Sequence, residues 1–225
     1  MMAFKINDKK LFIKKLIIVF ISVFGMGFFL SFLILIGLGT DPCTYMNRSI
    51  AGHIGWTLGN WQLTLNIIMF IFVLIFARDQ IGFGTLFNMV LIGYYADFFD
   101  WVWMNTLPGW IFTDMPVRLI LFAVTLSGFI ISAAFYMNSE MGVAPYDASV
   151  IILSRMVFKN IPFFIVRMGW DISAIIVGFI ASRTLPAPAT VIMAFALGPV
   201  ITVVGRFMKR VLGGNKDESG RNPAA

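Results

Sequence analysis

Long apolar stretches alternate with short polar ones along the whole chain, and this pattern predicts membrane-spanning helices. Each apolar stretch is about 20 residues long, the length that a helix needs to cross a hydrocarbon core about 30 Å thick. Six spans are predicted, at about 15–36, 60–77, 84–103, 117–137, 162–182 and 188–207.

Two further segments, 41–54 and 146–159, are too short to cross a membrane, and each follows a cluster of glycine and proline. We expect both to form interfacial or re-entrant helices. In the first, Gly37 and Gly39 permit a positive φ, and Pro42 suits the first turn of a helix. Asp41 lies where an N-cap belongs.

The two short segments belong to a weak internal repeat. GLGTDPCT (37–44) is similar to MGVAPYDA (141–148) when the two are aligned on their glycine and proline, so that Gly142 and Pro145 follow Gly39 and Pro42 by 103 residues. Beyond the short segments the offset is 105 residues, and the polar or glycine pairs are Asn66 with Asp171, Arg78 with Arg183, Thr85 with Thr190, and Gly93 with Gly198.

The repeat and the span count together predict the fold class. Each copy holds three spans, an odd number, so the two copies insert in opposite directions. We predict an all-α integral membrane protein with six transmembrane helices as two three-helix inverted repeats, each with a broken or re-entrant short helix. The first repeat covers residues 1–110, the second covers 111–212, and a disordered cytoplasmic tail covers 213–225.

Composition supports the membrane class, and charge gives the orientation. Hydrophobic residues make up 59% of the 225 and charged residues only 12%, about half the usual share in soluble domains. Basic residues gather near the predicted inner ends of the spans, which places both termini on the cytoplasmic side of the membrane. The net charge of +6 therefore reflects topology and lipid contact, and we expect no nucleic-acid partner.

The sequence contains few of the residues and motifs that enzymes commonly use for catalysis. The chain has one cysteine, Cys43, and one histidine, His53, and it carries no motif of a hydrolase or nucleotide-binding enzyme. We therefore expect no enzyme activity, no cofactor and no metal cluster.

Charged residues inside the fifth predicted span give the candidate chemistry. Asp171 lies near the centre of that span, and Arg167 precedes it by one turn. The two residues admit two interpretations: an ion pair that serves only structure, or an acid that binds a cationic group or exchanges a proton, with Asn66 as its neutral repeat mate. A free Asp171 favours a positively charged solute, whereas a tight pair favours a neutral or zwitterionic one.

The candidate site combines these side chains with the two glycine-proline motifs. Broken helices expose backbone groups and helix ends that can bind a solute. The predicted substrate-binding residues are Gly39, Thr40, Asp41, Pro42, Thr44, Asn66, Gly142, Pro145, Asp147, Arg167 and Asp171. Asp97 and Asp100, near the outer end of the third span, are either solvated helix ends or gating residues.

Three short motifs resemble the bacterial YczE/YyaS/YitT group of small multispan membrane proteins. They are GLGTDP after the first span, MGVAPYD after the fourth, and RDQIGFGT (78–85) before the third. The resemblance covers about residues 15–208 and implies a polytopic inner-membrane fold. Ala144 stands where the first motif has Asp41, so the two copies are not expected to play equal roles.

These features favour a secondary transporter or permease for a small polar or charged solute. The alternative is a membrane accessory protein that stabilises or regulates a partner without moving a solute. The transporter hypothesis is compatible with coupling to a proton or a cation, with bound membrane lipids and with a homo-oligomer.

Overall fold

The structure is a computed structural model that describes residues 9–211 and forms eight α-helices with no β-strand in that range. The predicted tail, 213–225, and the first eight residues of the first repeat lie outside the described residues. The helices are α1 (Lys9–Ile36), α2 (Pro42–Ile54), α3 (Leu58–Phe76), α4 (Phe83–Thr106), α5 (Met115–Met137), α6 (Pro145–Met156), α7 (Phe163–Ser182) and α8 (Pro188–Val211).

Four of these helices are long and apolar enough to cross a membrane: Phe12–Ile36 in α1, and α3, α5 and α7 over their full lengths. Their outward faces are apolar, as shown on α3 by Ile71, Phe72 and Ile75, which are each more than half exposed. Such a continuous apolar surface suits a lipid environment. Over the described residues, the protein is therefore all-helical with four apolar candidate spans.

The helices α4 and α8 have 24 residues each, but only part of their sequence is apolar. Asn88, Asp97 and Asp100 interrupt the apolar sequence of α4. In α8 the apolar part is Pro188–Leu197. At 1.5 Å per residue, each helix is about 36 Å long.

The central helix is α1, which packs against α4 on one side and α5 on the other. Its residues Val19, Val23, Leu30 and Leu33 have no exposed surface. A small residue allows α1 and α5 to approach closely, because the ring of Phe29 on α1 lies against Gly128 on α5. The largest apolar core therefore surrounds α1.

The predicted short segments are the helices α2 and α6, of 13 and 12 residues. At about 20 Å or less, neither can cross the hydrocarbon core. Asp41 is the N-cap of α2, and its carboxylate accepts a hydrogen bond from the amide of Thr44 at 3.0 Å. The corresponding residue before α6, Ala144, makes no side-chain cap. The predicted N-cap is confirmed, and only one of the two short helices has such a cap.

Each short helix packs along a long helix of the other half of the chain. The helix α2 lies on α7, where the ring of Tyr45 contacts Gly178. The helix α6 lies on α3, where Ala148 packs with Val73. Ala148 follows Tyr45 by 103 residues and Gly178 follows Val73 by 105 residues, so the two contacts join matching positions of the repeat.

The glycine motifs pack in the same reciprocal way. Gly39, with φ +135°, lies against the start of α8, where the amide of Thr40 donates to the Oγ1 of Thr190 at 3.2 Å. Gly142, with φ +94°, lies against the turn before α4, near the Oγ1 of Thr85. Here the amide of Gly84 donates to the carbonyl of Met141 at 2.7 Å. The positive φ predicted for Gly37 and Gly39 is confirmed.

Candidate functional site

A cavity of about 80 Å³ lies among the helices, and all eight helices contribute side chains to its wall. This volume is large enough for several water molecules or a small solute. Its apolar lining consists of Met26, Ile92, Phe129, Ala133, Met137, Ala144 and Leu197, and its remaining lining consists of Asp41, Cys43, Thr44, Gln62, Asn66, Asn88, Tyr136, Tyr146, Asp147 and Arg167.

Both short helices begin at this cavity. Asp41, the N-cap of α2, and Ala144, at the N-cap position of α6, are part of the wall. The N-terminus of a helix carries a partial positive charge of about half a unit. Two such ends therefore converge on the cavity, which is the arrangement expected from the two broken segments.

Arg167 forms the centre of a buried charge network. Its Nε donates to the Oδ2 of Asp171 at 3.0 Å, and its Nη1 donates to the Oδ1 of Asp147 at 2.5 Å. The hydroxyl of Tyr146 donates to the Oδ1 of Asp171 at 2.8 Å, and the guanidinium of Arg167 lies 5.6 Å from the centre of the Tyr146 ring. The network therefore links two helices, α6 and α7.

The predicted pairing of Arg167 with Asp171 is present, but Arg167 has a second acidic partner, Asp147, that the sequence did not indicate. Both carboxylate oxygens of Asp171 accept hydrogen bonds, and its side chain is only 1% exposed. Asp171 thus does not line the cavity itself, but it contacts Arg167 and Tyr146, which do.

Three buried polar atoms at the cavity wall lack a hydrogen-bond partner among the described residues. They are the Oδ2 of Asp41, the Oε1 of Gln62 and the hydroxyl of Tyr136. Buried polar atoms are normally paired with protein or with ordered water, because burial without a partner costs about 1–3 kcal/mol. Unpaired oxygens on three residues of one cavity wall indicate a site suited to water or to a polar ligand.

The predicted binding residues divide into two groups in the structure. Those that line the cavity are Asp41, Thr44, Asn66, Asp147 and Arg167. Those that lie outside its wall are Gly39, Thr40, Pro42, Gly142, Pro145 and Asp171. The second group shapes the loops and helix starts that position the first group, and the binding role of both groups stays a prediction.

The two predicted gating residues also lie outside the cavity wall. The Oδ2 of Asp97 accepts a hydrogen bond from the amide of Gly59 at 2.6 Å, at the start of α3. This contact gives Asp97 a structural part in holding α3 against α4. Asp100 is partly exposed on α4, one of its oxygens is buried without a hydrogen-bond partner, and gating by either residue stays a prediction.

Several lining residues were missing from the sequence-based set: Cys43, Gln62, Asn88, Tyr136 and Tyr146. A signal existed for Gln62, because Gln62 and Asn66 lie one helical turn apart on an otherwise apolar helix. Polar residues on such a helix face the protein interior.

Two ion pairs lie outside the cavity, near the start of α1 and the turn before α4. The Nη1 of Arg155 contacts the Oδ2 of Asp79 at 2.9 Å, and the Nζ of Lys15 contacts the Oε2 of Glu140 at 2.5 Å. Burial opposes ionisation of Asp79, but hydrogen bonds from Arg155 and Gln80 outweigh it and hold the pKa of Asp79 below its usual value. These pairs connect α6 and the loop before it to the first half of the chain.

Comparison with known proteins gives the family. The chain belongs to DUF6198, a family of unknown function whose model matches residues 13–206. No solved structure matches the chain.

Three curated relatives are similar at low identity. The chain is 26% identical to the uncharacterised membrane protein YczE of Bacillus subtilis over 60% of both chains. It is 26% identical to an uncharacterised protein of Haemophilus influenzae over 80% of this chain and 78% of that protein. It is 24% identical to the uncharacterised protein YyaS of Bacillus subtilis over 56% of this chain and 62% of that protein. The expected resemblance to YczE and YyaS is confirmed, and the one to YitT stays a prediction.

Proposed function

We propose that this membrane protein is a secondary transporter for a small polar or charged solute, with its binding site in the cavity between α2 and α6. The observation that carries the proposal is the cavity itself. Its wall holds Asp41, Asp147 and Arg167 together with buried unpaired oxygens, and all eight helices contribute to it. Buried polar groups inside a membrane protein commonly mark a path or site for a solute or ion.

The proposed architecture has six crossings in two inverted repeats. In addition to the four apolar spans, α4 and α8 are each about 36 Å long, enough to cross the hydrocarbon core. Helix packing supports the repeat, because α1 packs on α4 as α5 packs on α8, and α3 packs on α4 as α7 packs on α8. The reciprocal contacts of Gly39 and Gly142 support it further.

The proposed mechanism depends on the contacts that join the two halves of the chain. Each short helix packs on a long helix of the other half, so a rocking movement of one half against the other changes the cavity wall on both sides. Such movement about a fixed central site is the usual form of alternating access in proteins built from inverted repeats. The predicted inner location of both termini and the bacterial inner membrane belong to the same proposal.

An accessory role without transport is the second candidate function. That role needs no polar cavity, and it is favoured by a repeat interface that is dry and fully packed. Here the interface contains Gln62 and Tyr136 with unpaired buried oxygens. Transport is therefore the function that the geometry supports better.

A flux measurement tests the proposal. Solutes that raise the melting temperature of the purified full chain are selected first, and their uptake into proteoliposomes is then measured. We expect saturable uptake of a small polar or charged solute, and at least a tenfold loss of uptake for Asp41→Asn. The matched control is Asp114→Asn, because Asp114 is exposed and its side chain makes no capping hydrogen bond.

Two results would argue against transport. One is the absence of saturable uptake for every solute that stabilises the protein. The other is equal uptake by Asp41→Asn and by Asp114→Asn, since the cavity acid then has no part in the flux.

A further inference from the structure

The acids around the cavity outnumber the buried cation that neutralises them. Asp147 and Asp171 each contact Arg167 directly. Asp41 forms no ion pair in the described part of the chain; one of its oxygens accepts from the amide of Thr44 and the other is unpaired. Asp41 is therefore the carboxylate left available for a ligand.

A simple charge balance gives the sign and size of the missing charge. With all three carboxylates ionised, the acids carry three negative charges against the single positive charge of Arg167. The N-termini of α2 and α6 supply roughly half a positive charge each. The remainder is close to one negative charge, which a single positive charge balances.

The unpaired atoms define the chemistry of that positive charge. The Oδ2 of Asp41, the Oε1 of Gln62 and the hydroxyl of Tyr136 are all oxygen atoms, and each residue is at most 9% exposed. Oxygen ligands suit hard cations and ammonium groups. A divalent ion normally takes several carboxylate oxygens or a rigid octahedral shell, whereas Asp41 is the one carboxylate of this wall that does not pair with Arg167.

We propose that Asp41, Gln62 and Tyr136 form a binding site for one small monovalent cation, either an alkali metal ion or a primary ammonium group. This site rests on the proposed transport function, in which the cation is the transported or the coupled species. In this proposal Asp41 binds the positive charge, whereas Asp171 orients Arg167 and Tyr146 through its hydrogen bonds.

Binding is tested on the purified full chain in detergent, separately from transport. The melting temperature is measured with increasing sodium, potassium or methylammonium chloride, and choline chloride keeps the ionic strength constant. We expect the melting temperature to rise to a plateau with increasing concentration of at least one of the three salts. Asp41→Asn retains a good N-cap residue and is expected to weaken binding at least tenfold, whereas Asp114→Asn binds as the unmodified protein does.

A second variant keeps the test decisive if Asp41→Asn fails to fold. Tyr136→Phe removes a buried hydroxyl that has no hydrogen-bond partner among the described residues, so its melting temperature in choline chloride is expected to be equal or higher. Its cation affinity is expected to fall at least threefold. A residue with only a structural role does not give these opposite changes.

The possible outcomes test the cation site and the transport function separately. A response to the alkali salts alone assigns the site to a metal ion, and a response to methylammonium alone assigns it to an ammonium group. No response beyond that to choline, or unchanged affinity in both Asp41→Asn and Tyr136→Phe, overturns the site. Cation binding without flux in proteoliposomes overturns the transport function and leaves the site standing.

Discussion

Replacement of Arg167 by methionine is expected to destabilise the protein by about 3–5 kcal/mol, the usual cost of removing one partner from a buried ion pair. The reason is that the negative charges of Asp147 and Asp171 would remain without their cation. Asp147 and Asp171 both depend on Arg167, and their side chains are 16% and 1% exposed. Methionine has similar length and fills the space, so loss of volume contributes little.

The measurement is the free energy of unfolding in mixed detergent micelles. Arg155→Met is the matched control, because Arg155 pairs with Asp79 on an exposed surface where both side chains are at least half exposed. We expect the control to change stability by less than about 1 kcal/mol.

A rescue experiment separates charge from packing in this network. Arg167→Met combined with Asp147→Asn and Asp171→Asn removes the cation together with both of its acids. We expect the triple variant to regain more than half of the lost stability, because a neutral network avoids the cost of unpaired buried charges. Arg167→Met that behaves like Arg155→Met would show that the network is not buried as described.

Replacement of Gly39 by alanine is expected to cost about 3 kcal/mol, from a strained backbone and a steric clash together. Gly39 has φ +135°, which L-residues rarely adopt. An added Cβ would lie 2.8 Å from the amide nitrogen of Thr190 and 2.8 Å from the Cβ of Ala189. Because one of these atoms belongs to the backbone, relief requires a shift of the start of α8.

Thermal unfolding of the purified variants measures this effect. Gly52→Ala is the control, since Gly52 lies within α2 and an added Cβ would meet nothing within 4 Å. We expect that control to stabilise the protein by about 0.5–1 kcal/mol. Gly142→Ala, the repeat mate, is expected to lose as much stability as Gly39→Ala. Equal melting temperatures for Gly39→Ala and Gly52→Ala would contradict the close packing of the motif on α8.

Local sequence was sufficient to place the helices and the two breaks. The length of the apolar stretches predicted the four apolar candidate spans, and the Gly and Pro positions predicted where α2 and α6 begin. Spacing of i and i+4 on one helix predicted the contact of Arg167 with Asp171. These features depend on residues that are near each other in the chain.

The cavity wall could not be predicted in the same way, because its members come from different helices. Asp147 lies on α6 and reaches Arg167 on α7, a contact that depends on how these two helices pack. The orientation of Tyr136 into the cavity depends on how α5 rotates against α1. The Asp97 contact with Gly59 likewise depends on the packing of α4 on α3. The sequence therefore did not indicate Gln62 and Tyr136 as lining residues, or the contact of Asp147 with Arg167.

The central claim is that the cavity is open to water from each side of the membrane in turn, and Cys43 tests it directly. Cys43 is the single cysteine of the 225-residue chain, is partly buried and lines the cavity, so no cysteine has to be introduced. The measurement is the rate at which a membrane-impermeant, thiol-specific methanethiosulfonate reagent modifies Cys43 in intact cells and in inverted membrane vesicles. Cys43→Ser gives the background.

We predict that Cys43 reacts from both sides of the membrane, and that a stabilising solute changes the ratio of the two rates. Alternating access gives this result because the same residue faces each side in turn. Modification from neither side, in a protein whose Cys43 reacts after unfolding, would show a closed interior and contradict transport. Modification from one side only, at a rate that no solute changes, would contradict it as well.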